Sequence, residues 1–407
     1  MIWVSLGFFI TFILFFMRPI FFDPSLTMQF RQYLPVITPI GHDFRVIASL
    51  ATYWVYTGKA LPTLYPPFTL FFFSPFAYLS SKVGYEVITF VTLGCYILST
   101  LALPRLINNS REIDAFTLLI FISGIISYGF QFELERGQWN TIAMMFCLAS
   151  IYLFHRRPKY RWLAYLLFSI SVQLKLFPAI FALVLVEDWH SWKQNIKRLI
   201  GLGLFNILAL FILGTSPILS TMNSLNSNSA SIGGVPFNLS TQSFTLFFLT
   251  TRSLTYPFLD RRMVSILLAH SWILQSLFVT VFVLCFIIVL WQAYRKNSKG
   301  FDAYVFLTCA IGAYILPTIS FDYKLSFFPA CIIFSVPNIL PLKEGKNSIL
   351  IMMSAFILSI AYSSTLYSYE NKPPIIQNNL PALLVILVIS TALSCVRTDD
   401  SKENLAV

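Results

Sequence analysis

A chain of 407 residues with 57% hydrophobic and only 11% charged side chains, at a mean hydropathy of +0.73, lacks the charged surface of a water-soluble protein. Composition makes it an integral membrane protein, too uniformly apolar to hold a separate soluble domain. The formal net charge of +11 then reads as the Lys/Arg bias of cytoplasmic loops, not as a nucleic-acid footprint.

Cys95, Cys147, Cys285, Cys309, Cys331 and Cys395 are scattered singly through apolar runs, and the four histidines are equally dispersed. No pair has metal-ligand spacing, so neither a metal nor a cofactor is expected, and the cysteines read as small core residues. The N-terminus MIWVSLGFFITFILFF has no basic n-region and no small-residue cleavage site, which predicts a retained first span.

Apolar length places spans near 2–22, 84–106, 114–130, 139–155, 162–174, 176–187, 199–219, 264–291, 302–317, 325–340, 348–366 and 379–396. The expectation is an all-α polytopic membrane protein of about twelve spans, a single domain over 1–407, with both termini cytoplasmic. After the first span, residues 23–83 form an outer loop. Within it Phe44, Ile47, Leu50, Ala51, Trp54 and Val55 recur at helical spacing behind Asp43, as in a helix lying on the membrane surface. Gly58 ends that helix, and Tyr65-Pro66-Pro67 turns the chain back.

The run 66–81 is apolar but short and broken by prolines. Read as re-entrant or interfacial, it puts every basic loop on one side: Arg105 to Arg111, His155 to Arg161, Lys193 to Arg198, Arg295 to Lys299, Lys343 to Lys346, and the tail. Between Arg161 and Lys193 there is apolar length for one span, yet both flanks are basic. Two short half-spans must therefore meet at Lys175-Leu176-Phe177-Pro178, with Lys175 at the far tip, and a lysine there needs a wet cavity or an anion. The outer side also collects the turn Glu133 to Asn140, a second large loop over 220–263 and the turn Ser320 to Lys324. No internal repeat suggests an inverted-repeat transporter.

Each outer residue has two readings. Asp43 is a general base at the membrane surface or the N-cap of its helix. Lys175, Arg252 and Lys324 bind a lipid phosphate or merely snorkel. Asp322 pairs a lysine or holds a sugar hydroxyl. Gln138 and Asn140 bond sugar or cap a helix, and Tyr53, Trp54, Tyr65 and Trp139 stack on sugar or form an aromatic belt.

In order and spacing these pieces resemble a family. They are Asp43 with Gly58, Tyr65-Pro66-Pro67 and Pro75; Gly137-Gln138-Trp139-Asn140; Lys175-Leu176-Phe177-Pro178; Thr241-Gln242-Ser243-Phe244 with Arg252; and Pro317 to Asp322. The resemblance is to the GT-C membrane glycosyltransferases, in particular family 87, the polyprenol-phosphate-mannose-dependent mannosyltransferases. It implies a hexosyltransferase in the cytoplasmic membrane that uses a polyprenyl-phosphate sugar on the outer face, with a lipid or glycan acceptor. It further implies Asp43 as catalytic carboxylate, Lys175, Arg252 and Lys324 around the donor phosphate, and Tyr65, Gln138, Asn140, Gln242 and Asp322 around sugar or acceptor. Where the family commonly has a histidine near Asp322, Tyr323 and Lys324 stand here, which leaves the sugar open. The first loop has no Asp-X-Asp pair and the chain no Gly-rich phosphate loop, so neither metal nor nucleotide is expected. The competing expectations are a flippase for lipid-linked sugars, or a polymerase or ligase with a lipid-pyrophosphate donor.

Overall fold

The computed structural model describes residues 40–108, 113–223, 238–246, 266–339 and 378–396, apart from a few positions inside these ranges. Among them the chain is helical, with strand-like pairing limited to two isolated bridges, Asp188 with Lys299 and Asn238 with Phe321. The expected spans at 2–22 and 348–366, Arg252 and most of the 220–263 loop lie outside the described residues.

Helix α1 (His42–Thr57) closes on Gly58 at φ 66°, as its sequence predicts, and buries Phe44, Ile47 and Ala51. The proline-broken run becomes a short α2 (Phe68–Phe73) continued by a 3₁₀ turn to Tyr78, a segment too short to cross a bilayer. Next comes α3 (Ser81–Ile97), which runs on through a π turn and a last helical stretch to Asn108. The expected span 114–130 is broken into α4 (Ala115–Ile125) and α5 (Tyr128–Arg136), bent by 44°. Ser127 causes the break locally: its hydroxyl donates to Gly124 O (2.7 Å) and accepts from Phe130 N, taking backbone partners away from a continuous ladder.

Helices α6 (Asn140–Arg156) and α7 (Arg161–Leu174) are packed together and joined by the basic HRRPKYR turn. Past Lys175 the chain returns as a 3₁₀ helix, Phe177–Val184, instead of the α-helix expected over 176–187. At about 2 Å per residue a 3₁₀ helix covers more distance than an α-helix. The short arm therefore still reaches the basic end, where Arg161 pairs with Glu187 at 2.6 Å. Helix α8 (Trp192–Leu210) starts seven residues before the expected 199. No breaker stands between Trp192 and Leu199, and the long stems of Lys193, Lys197 and Arg198 are compatible with helix.

Among the described residues the longer helices that follow are α9 (Ser271–Arg295), α10 (Ala303–Ile315), α11 (Phe328–Ile339) and α12 (Leu380–Val396), with a 3₁₀ turn at Asp322–Phe327 before α11. Among the described residues three helical stretches are long and apolar enough to cross a membrane, Ser81–Ile107, Trp192–Leu213 and Ser271–Arg295, and the bent α4–α5 pair would make a fourth. The main core joins α6, α7, the returning 3₁₀ arm, α10, α11 and α12. A smaller cluster of Phe44, Ile47, Leu70, Phe73, Trp139 and Leu174 ties α1 and α2 to the adjoining ends of α6 and α7. The candidate site lies on that smaller cluster, at the end of α6 and α7 away from the basic turn.

Candidate functional site

Two left-handed glycines bring the site together. Gly137 ends α5 at φ 64°, and Gly41 precedes α1 at φ 77°; Gly41 N donates to Glu135 O at 2.7 Å. A Cβ on Gly137 would sit 2.7 Å from Phe44 Cβ, and one on Gly41 would sit 2.5 Å from the Tyr85 ring. The α1 start and the α5–α6 turn are thus in backbone contact, which side chains at these positions would prevent. We expect Gly137→Ala to lower the melting temperature by several degrees and to reduce activity with it, since left-handed strain of about 1–2 kcal/mol adds to the clash. A melting scan of the purified variant checks this.

That contact places Asp43, in the first turn of α1, against the α5–α6 turn. Gly41 is the N-cap residue and Asp43 makes no cap bond, so the capping alternative for Asp43 does not hold. Its carboxylate instead takes a bidentate pair from Arg136, with Nε at 3.1 Å from Oδ2 and Nη2 on Oδ1, and a further bond from Gln138 Nε2 on Oδ2. One lone pair of Oδ1 stays open, because a carboxylate offers about four acceptor positions.

Gln138 bonds two charged groups at once. Its Nε2 donates to Asp43 and, at 3.1 Å, to Tyr65 Oη; its Oε1 accepts from Lys175 Nζ at 2.6 Å. Lys175 also lies 4.3 Å from the ring centroids of both Tyr65 and Trp139. The end of α7 that presents it is anchored from two sides. Trp139 Nε1 donates to Leu174 O (3.2 Å), and Thr69 Oγ1 lies within bonding reach of the Gln173 and Leu174 carbonyls, which α7 itself leaves unsatisfied. Lys175 is only 7% exposed, and among the described residues it has no ion-pair partner. Burial pulls its ammonium below the ordinary lysine range, against the opposing charges of Asp43 and Glu133. Burial, with Asp43 nearby, pushes the Tyr65 phenol up, so Tyr65 keeps its proton and can donate it.

Of the other expected site residues, Asn140 starts α6 and is fully buried, with neither amide atom hydrogen-bonded among the described residues. It is not the cap of α6. That role falls to Glu133, whose carboxylate accepts from Thr141 N (2.8 Å) and Thr141 Oγ1 (2.7 Å). A buried, unbonded amide costs stability, so Asn140→Leu should leave the melting temperature unchanged or raise it while lowering sugar transfer. A fall in stability with unchanged transfer would show Asn140 to be structural only.

Lys324 and Asp322 are buried on the 3₁₀ turn that packs on α5, where a Cβ on Gly129 would meet Leu325 Cβ at 2.6 Å. Lys324 Nζ donates to Ile319 O (3.3 Å) and faces the Phe177 ring at 5.4 Å. Gln242 is half-buried on the short helix 241–246, which leads from Asn238, and among the described residues it makes none of the hydrogen bonds of the Asp43 cluster. Asn238 bridges that segment to the 3₁₀ turn, taking bonds from Ser240 N and Ser320 N. Arg136 is the residue that sequence reasoning passed over, although it stands on the outer turn where the Lys/Arg bias does not call for a cation.

The family model described as glycosyltransferase family 87 matches residues 63–318, more than half of the chain. The chain belongs to glycosyltransferase family 87. No curated protein and no solved structure matches it. In this family 87 glycosyltransferase the matched range includes Tyr65, Gln138, Asn140, Lys175, Gln242 and Arg252. It starts after Asp43 and stops before Asp322 and Lys324, so the parts assigned to those three rest on geometry and on the resemblance above. The protein is therefore a membrane-associated glycosyltransferase with a sugar donor and an acceptor.

Proposed function

We propose that this glycosyltransferase takes a hexose from a polyprenyl-phosphate donor and passes it to a lipid or glycan hydroxyl at the outer face of the cytoplasmic membrane. The observation that carries the reading is the buried Lys175 ammonium, held by an amide oxygen and two ring faces and one side chain away from the Asp43 carboxylate. A buried cation without an anionic partner is costly, and a lipid phosphate entering beside it would supply that partner.

The reaction follows as a single displacement. The acceptor hydroxyl gives its proton to Asp43 as its oxygen bonds the anomeric carbon. The bond from that carbon to the phosphate oxygen breaks with its electron pair going to the phosphate, and Lys175 stabilises the charge that grows there, with Lys324 and Arg252 as further cations of the donor site. Charge at the anomeric carbon is oxocarbenium-like in the transition state, as in other glycosyl transfers. Arg136 orients the Asp43 carboxylate through its bidentate pair. Tyr65, Asn140, Gln242 and Asp322 contact sugar or acceptor. The basic turn His155 to Arg161 and the basic first turns of α8, Lys193 to Arg198, gather at the end of α6 and α7 away from Lys175, which supports a site facing away from the cytoplasm in a chain of about twelve spans.

The test is transfer in membranes holding the protein, with a set of radiolabelled polyprenyl-phosphate sugars and extracted lipid acceptors. Labelled product from one of these donors, and none from the matching nucleotide sugar in washed membranes, supports the reading. Product from the nucleotide sugar alone, or movement of lipid without sugar transfer, contradicts it.

A further inference from the structure

At the other end of α7, away from Lys175, a groove of about 440 Å³ opens between α7 and α8. Its walls are Trp162, Tyr165 and Leu166 on one helix and Gly201, Leu202 and Phe205 on the other. The space beside Gly201 is open, since a Cβ there would meet nothing within 4 Å. Asn206 ties the two helices together beside the groove, with Nδ2 donating to Ser169 Oγ (3.1 Å) and its backbone oxygen accepting from Gln173 Nε2 (2.9 Å).

Lys197 and Arg198 also line the groove. Neither has a hydrogen-bond or ion-pair partner among the described residues. Of the described acidic groups beside the start of α8, Glu187 is engaged by Arg161 (2.6 Å) and Asp188 by His190 N (2.9 Å) and Ser191 Oγ (3.0 Å). Among the described residues α8 is sparsely covered, with only Asn195 and Leu202 of that helix buried. An apolar slot with two unpaired cations matches a molecule that has an acyl chain and an anionic head, and basic pockets between membrane helices bind such lipids.

We propose that this groove is a binding site for one anionic phospholipid. Its phosphate lies at Lys197 and Arg198, and an acyl chain lies along Trp162, Leu166 and Phe205. The site is separate from the donor site at Lys175 and brings α8 against α7.

Native mass spectrometry of the detergent-purified full-length protein tests this, with titration by phosphatidylglycerol, phosphatidylcholine or inorganic phosphate. One phosphatidylglycerol should be retained well above phosphatidylcholine. The K197Q/R198Q double variant should weaken it by about twenty-five-fold, at about five-fold per cation. Gly201→Leu, which fills the slot and spares both cations, should also release it. The control K159Q/K193Q, which removes two cations that do not line the groove, should retain the lipid as the wild type does. The proposal fails if both lipids are held equally or neither is held. It also fails if inorganic phosphate alone displaces the lipid, if Gly201→Leu binds normally, or if the control loses as much as the groove variant.

Discussion

Asp43→Asn is expected to lower sugar transfer by about 10²–10⁴-fold, the range over which a positioned general base acts, while donor binding is retained. The substitution keeps the shape of the side chain and an oxygen for Gln138, and removes the ability to take up the acceptor proton. It also removes the ion pair with Arg136. Both partners of that pair keep some solvent contact, with side chains 14% and 17% exposed, so its loss costs less than that of a fully buried pair. Arg136→Gln separates the two effects, because it breaks the same pair and leaves the carboxylate. If Asp43 only anchors Arg136, the two variants lose transfer equally. If Asp43 is the base, Arg136→Gln loses far less than Asp43→Asn, and single-turnover rates of the two purified variants decide between these outcomes.

Lys175→Met is the second large effect, a loss of about 10²–10³-fold in transfer accompanied by an unchanged or higher melting temperature. The loss follows from removing the cation that meets charge growing on the departing phosphate. The stability follows from replacing a nearly buried charge by an apolar chain of similar length, which is often neutral or favourable. A side chain kept for the fold would give the reverse pattern, normal transfer with lost stability. Lys175→Arg should not restore activity, since the planar guanidinium is bulkier than the ammonium seated between the Tyr65 and Trp139 rings at 4.3 Å.

Parts of this arrangement are legible in the amino-acid order alone. The apolar spacing from Phe44 to Val55 and the Gly58 stop describe α1 well, and the basic flanks of Arg161 and Lys193 call for a return at Lys175. Other parts depend on contacts between distant segments. Asp43 and Arg136 are 93 positions apart, and nothing local to either shows that Gly41 and Gly137 bring their backbones together. Gln138 looks like a cap until its amide is seen between a carboxylate and an ammonium. The 3₁₀ form of the returning arm is not legible, because apolar content does not distinguish α from 3₁₀ and Pro178 near its start favours neither. The early start of α8 is hidden in the sequence because Lys193, Lys197 and Arg198 mark a basic flank, although their stems are good helix formers.

The most direct measurement is a structure of the protein bound to a non-transferable polyprenyl-phosphate sugar. The account predicts a phosphate oxygen within hydrogen-bond distance of Lys175 Nζ and the anomeric carbon facing a position from which an acceptor hydroxyl reaches Asp43 Oδ1. A sugar phosphate seated elsewhere, with the Asp43–Gln138–Lys175 chain intact and untouched, would contradict it.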